Sequence, residues 1–169
     1  MIHTREELIE RTISEFVVLD GLVEVIPEDG WDLPLLWVEP RDAWTVKDAF
    51  AHVTYWKADT ARFVRGQRRP AETRGVIDSN HYVFERYRHV AAAELIAWHR
   101  QVHTDTVAAL REAPDTWFDK ERAPQWPQDL DRHIRAHRKR DMERALRASR
   151  PAGLESQALG LLGHSGIGD

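Results

Sequence analysis

From Thr4 onward the apolar residues of this chain recur at spacings of three and four, and nowhere do they alternate at two over the length of a strand. A chain patterned in this way forms helices that each bury one face. Four such segments predict an all-α, antiparallel-type four-helix bundle with long crossing loops. The first segment opens on Thr4 and Glu7, the spacing at which two side chains satisfy each other's backbone amides at a helix start. Its stripe is Leu8, Thr12, Phe16, Leu19, Val23 and Ile26, ended by Pro27 and the Asp29-Gly30 turn.

Thr45 and Asp48 repeat the start signal ahead of a second stripe, Val46, Ala49, Phe50, Val53, Trp56, Thr60, Phe63 and Val64. At 3.6 residues per turn, His52 falls at the edge of that stripe and leans inward beside Trp56. A cap at Asp78-Ser79-Asn80 predicts a short helix around His81 to Tyr87. The third long helix runs from Ala91 to Glu112, stopped by Pro114, with Leu95, Trp98, His99, Val102, Thr106, Ala109 and Leu110 inward and His103 at the flank. Pro127 suits the first position of a fourth helix that reaches Ser149. Aromatic-rich connections over 28–43 and 117–126 and an arginine-rich loop over 66–75 join these helices. Residues 1–150 therefore read as one bundle, and 151–169, rich in glycine, as a flexible tail.

Composition narrows the chemistry. With no cysteine, disulfides, thiolate metal sites and cysteine nucleophiles are excluded, so a metal would have to sit on imidazole and carboxylate. No run approaches the roughly 18 apolar residues of a membrane span, so the expectation is a cytoplasmic protein with no membrane partner. A formal net charge of -4 argues against nucleic acid as a general partner. Seven tryptophans against three tyrosines suggest large rings at a cavity mouth as well as in the core.

The inward face of the fourth helix is half polar: Leu130, His133, Ile134, His137, Asp141 and Ala145. Burying several polar groups is unfavourable unless each finds a partner, and a metal ion can satisfy imidazole nitrogens that an apolar core would strand. His133 and His137 stand one turn apart, so both can reach one ion at the roughly 2.0 to 2.1 Å expected for zinc. The third ligand must come from a facing helix, and His52 is the natural candidate. A histidine pair at this spacing is a weak signal alone, as His99 and His103 share it and the chain has nine histidines. Asp141 is the candidate catalytic group, orienting a ligand or accepting a proton, with a salt bridge to a neighbouring helix as the alternative. Asp59 invites the same two readings. Trp56, Trp98 and His99 are the expected lining of a cofactor pocket, where His99 and His103 could equally serve packing.

The run Trp44-Thr45-Val46-Lys47-Asp48-Ala49-Phe50-Ala51-His52 resembles the DinB-like pattern of tryptophan, helix cap and inward histidine, and His133 with His137 is similar to that family's second ligand pair. The resemblance spans most of residues 4 to 148. It implies a four-helix bundle, often a homodimer, whose divalent metal, nickel or zinc, is held by His52, His133 and His137. It further implies a metal-dependent hydrolase, or a transferase using a low-molecular-weight thiol, acting on a reactive small-molecule substrate in detoxification or self-resistance. The tryptophan-rich make-up with Asp78 and Asn80 is most similar to the ClbS/DfsB-type branch. Two other classes stand beside this reading. One is a non-catalytic bundle that sequesters an apolar ligand among Trp37, Trp56, Trp98 or Trp126. The other is a nucleic-acid-binding protein using the arginines of the fourth helix, against which stands a solvated helix whose late cations suit its dipole.

Overall fold

A computed structural model describes residues 4–36, 42–68, 70, 78–118 and 138–149. Its α-helices are α1 (Arg5–Val23), α2 (Val46–Val64), α3 (Ser79–Tyr87), α4 (Ala92–Glu112) and α5 (Lys139–Ala148), with 3-10 turns at Glu28–Asp32 and Asp115–Trp117. Among the described residues there is no strand, and a lone antiparallel bridge joins Pro34 to Thr45. The all-α architecture expected from the periodicity is the one formed. No helix among the described residues is long and apolar enough to cross a membrane. Trp37, Trp126, His133, His137 and the 151–169 segment lie outside the described residues, as does most of the helix expected from Pro127.

The helix starts follow local chemistry. Thr4 accepts from the Glu7 amide at 3.2 Å while its own amide donates to the Glu7 carboxylate at 2.8 Å. Thr45 and Asp48 make the same reciprocal pair at 3.3 and 2.8 Å. Asp78 caps α3 by accepting from the His81 amide at 3.0 Å. α1 stops three residues short of Ile26, because its last turn tightens: the Val25 and Ile26 amides donate to Leu22 and Val23 carbonyls in place of continuing the α ladder.

α2 is the central helix. It packs most extensively on α4 and also touches α3, the Glu28–Asp32 turn and α5. Ala51, Thr54, Tyr55, Lys57, Asp59 and Ala61 are therefore buried together with most of the expected stripe, whereas Trp56 is half-buried and Phe63 is 51% exposed. The main core gathers Leu19, Trp31, Phe50, Val53, Leu95 and Met142, with Trp31 edge-on to Phe50 at 5.5 Å. Removing any one of these large side chains from water contributes about 1.5–3 kcal/mol. A smaller cluster of Leu8, Ala61, Val64, Ala109 and Leu110 closes the other end. α5 turns Met142 and Ala145 fully inward, and Asp141, expected on the inner face, is half-buried.

Gly30 fits where a side chain would not. A Cβ there would stand 2.9 Å from Pro27 Cδ, and 3.1 Å from both Ile26 Cγ2 and Leu146 Cδ2. The proline ring cannot swing aside. Gly30→Ala is expected to lower stability by about 1–3 kcal/mol, the range for overpacking, as read from urea unfolding. An unchanged midpoint would mean that this turn does not pack on α5.

Candidate functional site

His52 emerges from the second turn of α2 with only 5% of its surface exposed. Its ring lies 5.0 Å from that of Trp44, tilted, and 6.2 Å from that of Trp56, edge-on. Trp44 is held by the chain leading into the Thr45 cap, where the Leu35 amide donates to the Trp44 carbonyl at 2.9 Å. Its indole N–H is buried and makes no hydrogen bond among the described residues, within one ring of His52. The Arg138 guanidinium, at the entry to α5, sits 5.3 Å from the Trp44 ring. The described part of the last helix thus begins one indole away from His52.

Asp141 lies three residues into that entry, 3.5 Å from Arg138. Among the described residues its ion pair is within its own turn rather than to a neighbouring helix. Asp59 likewise pairs with Arg62 of its own helix at 2.7 Å. Trp56 meets the Tyr55 ring at 5.4 Å, Tyr55 meets Tyr87 at 6.2 Å, and Tyr87 stacks on Trp98 at 4.8 Å. An aromatic row therefore links Trp56 to Trp98 through two tyrosines. Ahead of α3, the buried Asp42 carboxylate bonds His81 Nδ1 at 2.8 Å, tying α3 to the segment that carries Trp44.

His99 occupies a different place, fully buried between Phe16 at 5.0 Å and Phe50 at 5.1 Å. Neither of its ring nitrogens has a hydrogen-bond partner among the described residues. Burial, reinforced by the nearby Lys57 charge, pushes its pKa down to about 3, so the ring is neutral at any physiological pH. His103 also stacks on Phe16, at 3.9 Å, and its pKa is also lowered, first by burial and then by Lys57. His99 is thus a ring set in the α1–α2–α4 interior, apart from the Trp56 to Trp98 row.

Lys57 was not singled out from sequence. It is 7% exposed, and burial lowers its amine to about 8 against the opposing pull of Glu15. A signal for it existed: Lys57 follows Val53 by four residues and precedes Thr60 by three, which puts it on the helix face of two stripe residues. Trp44 stood in the quoted motif, but its contact with both His52 and Arg138 is a tertiary fact.

Among the described residues no group of three or more histidine, cysteine, aspartate or glutamate side chains could hold a metal ion. Two of the expected ligands, His133 and His137, lie outside those residues. Of the three expected ligands the described residues hold His52 alone, a buried imidazole whose type suits a divalent ion.

A helical bundle with a capped second helix, an inward histidine behind a tryptophan, and a last helix entering against that tryptophan belongs to the DinB-like class. Residues 14–149 match the model of the mycothiol maleylpyruvate isomerase N-terminal domain, and the chain belongs to that family. The family is associated with metal- and mycothiol-related activity, which makes this a domain of a thiol-related enzyme family. No curated protein matches the chain. No solved structure matches it either.

Proposed function

We propose that the chain is a metal-dependent enzyme that joins a low-molecular-weight thiol to a reactive small molecule, or hydrolyses that molecule, with His52, His133 and His137 as the metal ligands. The observation that carries this reading is the buried His52 ring behind Trp44, with Arg138 on the same indole. His137 directly precedes Arg138 in the sequence. Three neutral imidazoles leave coordination positions open, as catalytic sites require. The chemistry an ion supplies at such a site is the acidification of a thiol or water, so that its conjugate base forms near neutral pH.

The chain's own residues have three tasks. Trp44 and Trp56 cover His52 and keep bulk water from it, which strengthens electrostatic interactions at the site. The Trp44 indole N–H, without a partner among the described residues, can donate to an acceptor on the bound substrate. Asp141, which pairs with Arg138, is the carboxylate to which this reading gives the task of holding a ligand imidazole or taking up a proton.

The test uses untagged full-length protein, with and without added zinc or nickel, against a panel of epoxides and α,β-unsaturated acids, each with and without a cysteine-derived thiol. Turnover that needs the metal is expected, with thiol dependence separating transfer from hydrolysis. Equal substrate binding by metal-free and metal-loaded protein, with no turnover anywhere, would instead favour a sequestering bundle that uses the Trp56 to Trp98 row.

A further inference from the structure

Ahead of α2 the Asp42 carboxylate is buried, and its Oδ1 lies 2.8 Å from His81 Nδ1. A carboxylate only accepts hydrogen bonds, so Nδ1 carries a proton and Nε2 keeps the lone pair of the neutral ring. Nε2 makes no hydrogen bond among the described residues, and the His81 side chain is 28% exposed, so a small molecule can reach the ring. The backbone is fixed as well, because the His81 amide donates to Asp78 at 3.0 Å in the α3 cap. A buried acceptor, a set tautomer and an open second nitrogen are the parts of an oriented imidazole base. The two segments that this pair joins also carry the rings around His52. Asp42 precedes Trp44 by two residues, while Tyr82, next to His81, meets the Tyr55 ring at 6.4 Å, and Tyr55 meets Trp56 at 5.4 Å. Trp44 and Trp56 are the indoles beside His52, so the dyad bridges the two walls of that site.

We propose that His81, oriented by Asp42, is the general base of this site, taking the proton from the thiol or water that attacks the reactive substrate. For its substrate this rests on the function proposed above; for its chemistry it rests on Asp42 and His81 alone. With an epoxide, the thiol S–H gives its proton to Nε2 while the sulfur pair forms the C–S bond. The ring C–O bond breaks with its pair on oxygen, and the imidazolium returns the proton there. Thiol plus epoxide thus gives a hydroxy thioether, water plus epoxide gives a diol, and the base ends as it began. Midway, the imidazolium faces the Asp42 carboxylate, whose charge offsets its own. Proton uptake then falls to His81, and Asp141, paired with Arg138, keeps the task of holding a ligand imidazole.

The experiment uses untagged full-length protein loaded with zinc, styrene oxide as the epoxide and N-acetylcysteine as the thiol. His81→Asn keeps an amide N–H where Nδ1 stands, so the tie to Asp42 survives while the base is lost. It should lower turnover at least about a hundredfold, the lower end of what a positioned base supplies, with zinc content unchanged. Asp42→Asn should lower turnover at least about tenfold, as the loss of an orienting group does. Added imidazole should restore part of the turnover of His81→Ala, which a purely structural role would not allow. A second measurement needs no turnover. The hydroxy-thioether product should slow carbethoxylation of His81 by diethyl pyrocarbonate severalfold, read by peptide mass, while the exposed His89 reacts as before. Wild-type turnover in His81→Asn overturns the proposal. If no form of the protein turns over, the function proposed above fails, and the dyad is judged on the second measurement, where an unprotected His81 overturns it.

Discussion

Taking the protein from pH 7 to pH 4 is expected to lower its folding stability by about 3 kcal/mol through His99 alone. The folded ring titrates at about 3 and the unfolded one at the ordinary 6.5, so between those values the unfolded chain binds more protons. Stability then falls as pH falls, by up to about 1.4 kcal/mol per pH unit, and at pH 7 the ring is neutral in both states and adds no pH term. Carboxylates also titrate in this range, so the measurement is a difference: urea unfolding of wild type and His99→Leu at pH 7 and pH 4. The variant removes two buried nitrogens without a partner among the described residues, each of which costs about 1–3 kcal/mol, and should be at least as stable at pH 7 as well as less acid-sensitive. Parallel losses in the two proteins would show that the ring takes up a proton without unfolding, which its contacts with Phe16 and Phe50 forbid.

The second large effect belongs to His52. His52→Ala is expected to weaken divalent-ion binding by at least about a hundredfold, since even the loss of a group that only orients a ligand costs 10–100-fold. His137→Ala should do the same, and a His99→Gln, His103→Gln double variant should keep the ion, because those rings face Phe16 in a separate part of the interior. Metal content after dialysis, read by elemental analysis of untagged protein, checks all three. Full retention by His52→Ala would remove this residue from the site, and loss in the double variant would move the site to α4.

Much of the local structure was legible in the sequence. The reciprocal pairs at Thr4 and Thr45, the Asp78 cap and the stop at Pro114 all act within four residues, so the chain specifies them wherever the rest goes. The inward lean of His52 followed from its place at the edge of a stripe, and its burial agrees. α2 was less legible. A stripe shows which face a helix buries first, but neighbours on several sides cover nearly all of α2, and that depends on partners far along the chain. The inner face of α5 shows a smaller limit: Met142 and Asp141 are neighbours, and a rotation of about 100° decides which of them points inward.

By itself the sequence determined the helical class, the helix starts and the candidate ligands His52, His133 and His137, because these rest on periodicity, caps and residue type. Only the tertiary structure decided that Trp44 stands between His52 and Arg138, that Lys57 lies buried, and that His99 is sealed between two phenylalanines. The reason is physical. Spacing along a helix fixes which side chains share a face, whereas the loss of water that shifts Lys57 and His99 is imposed by other helices closing over that face.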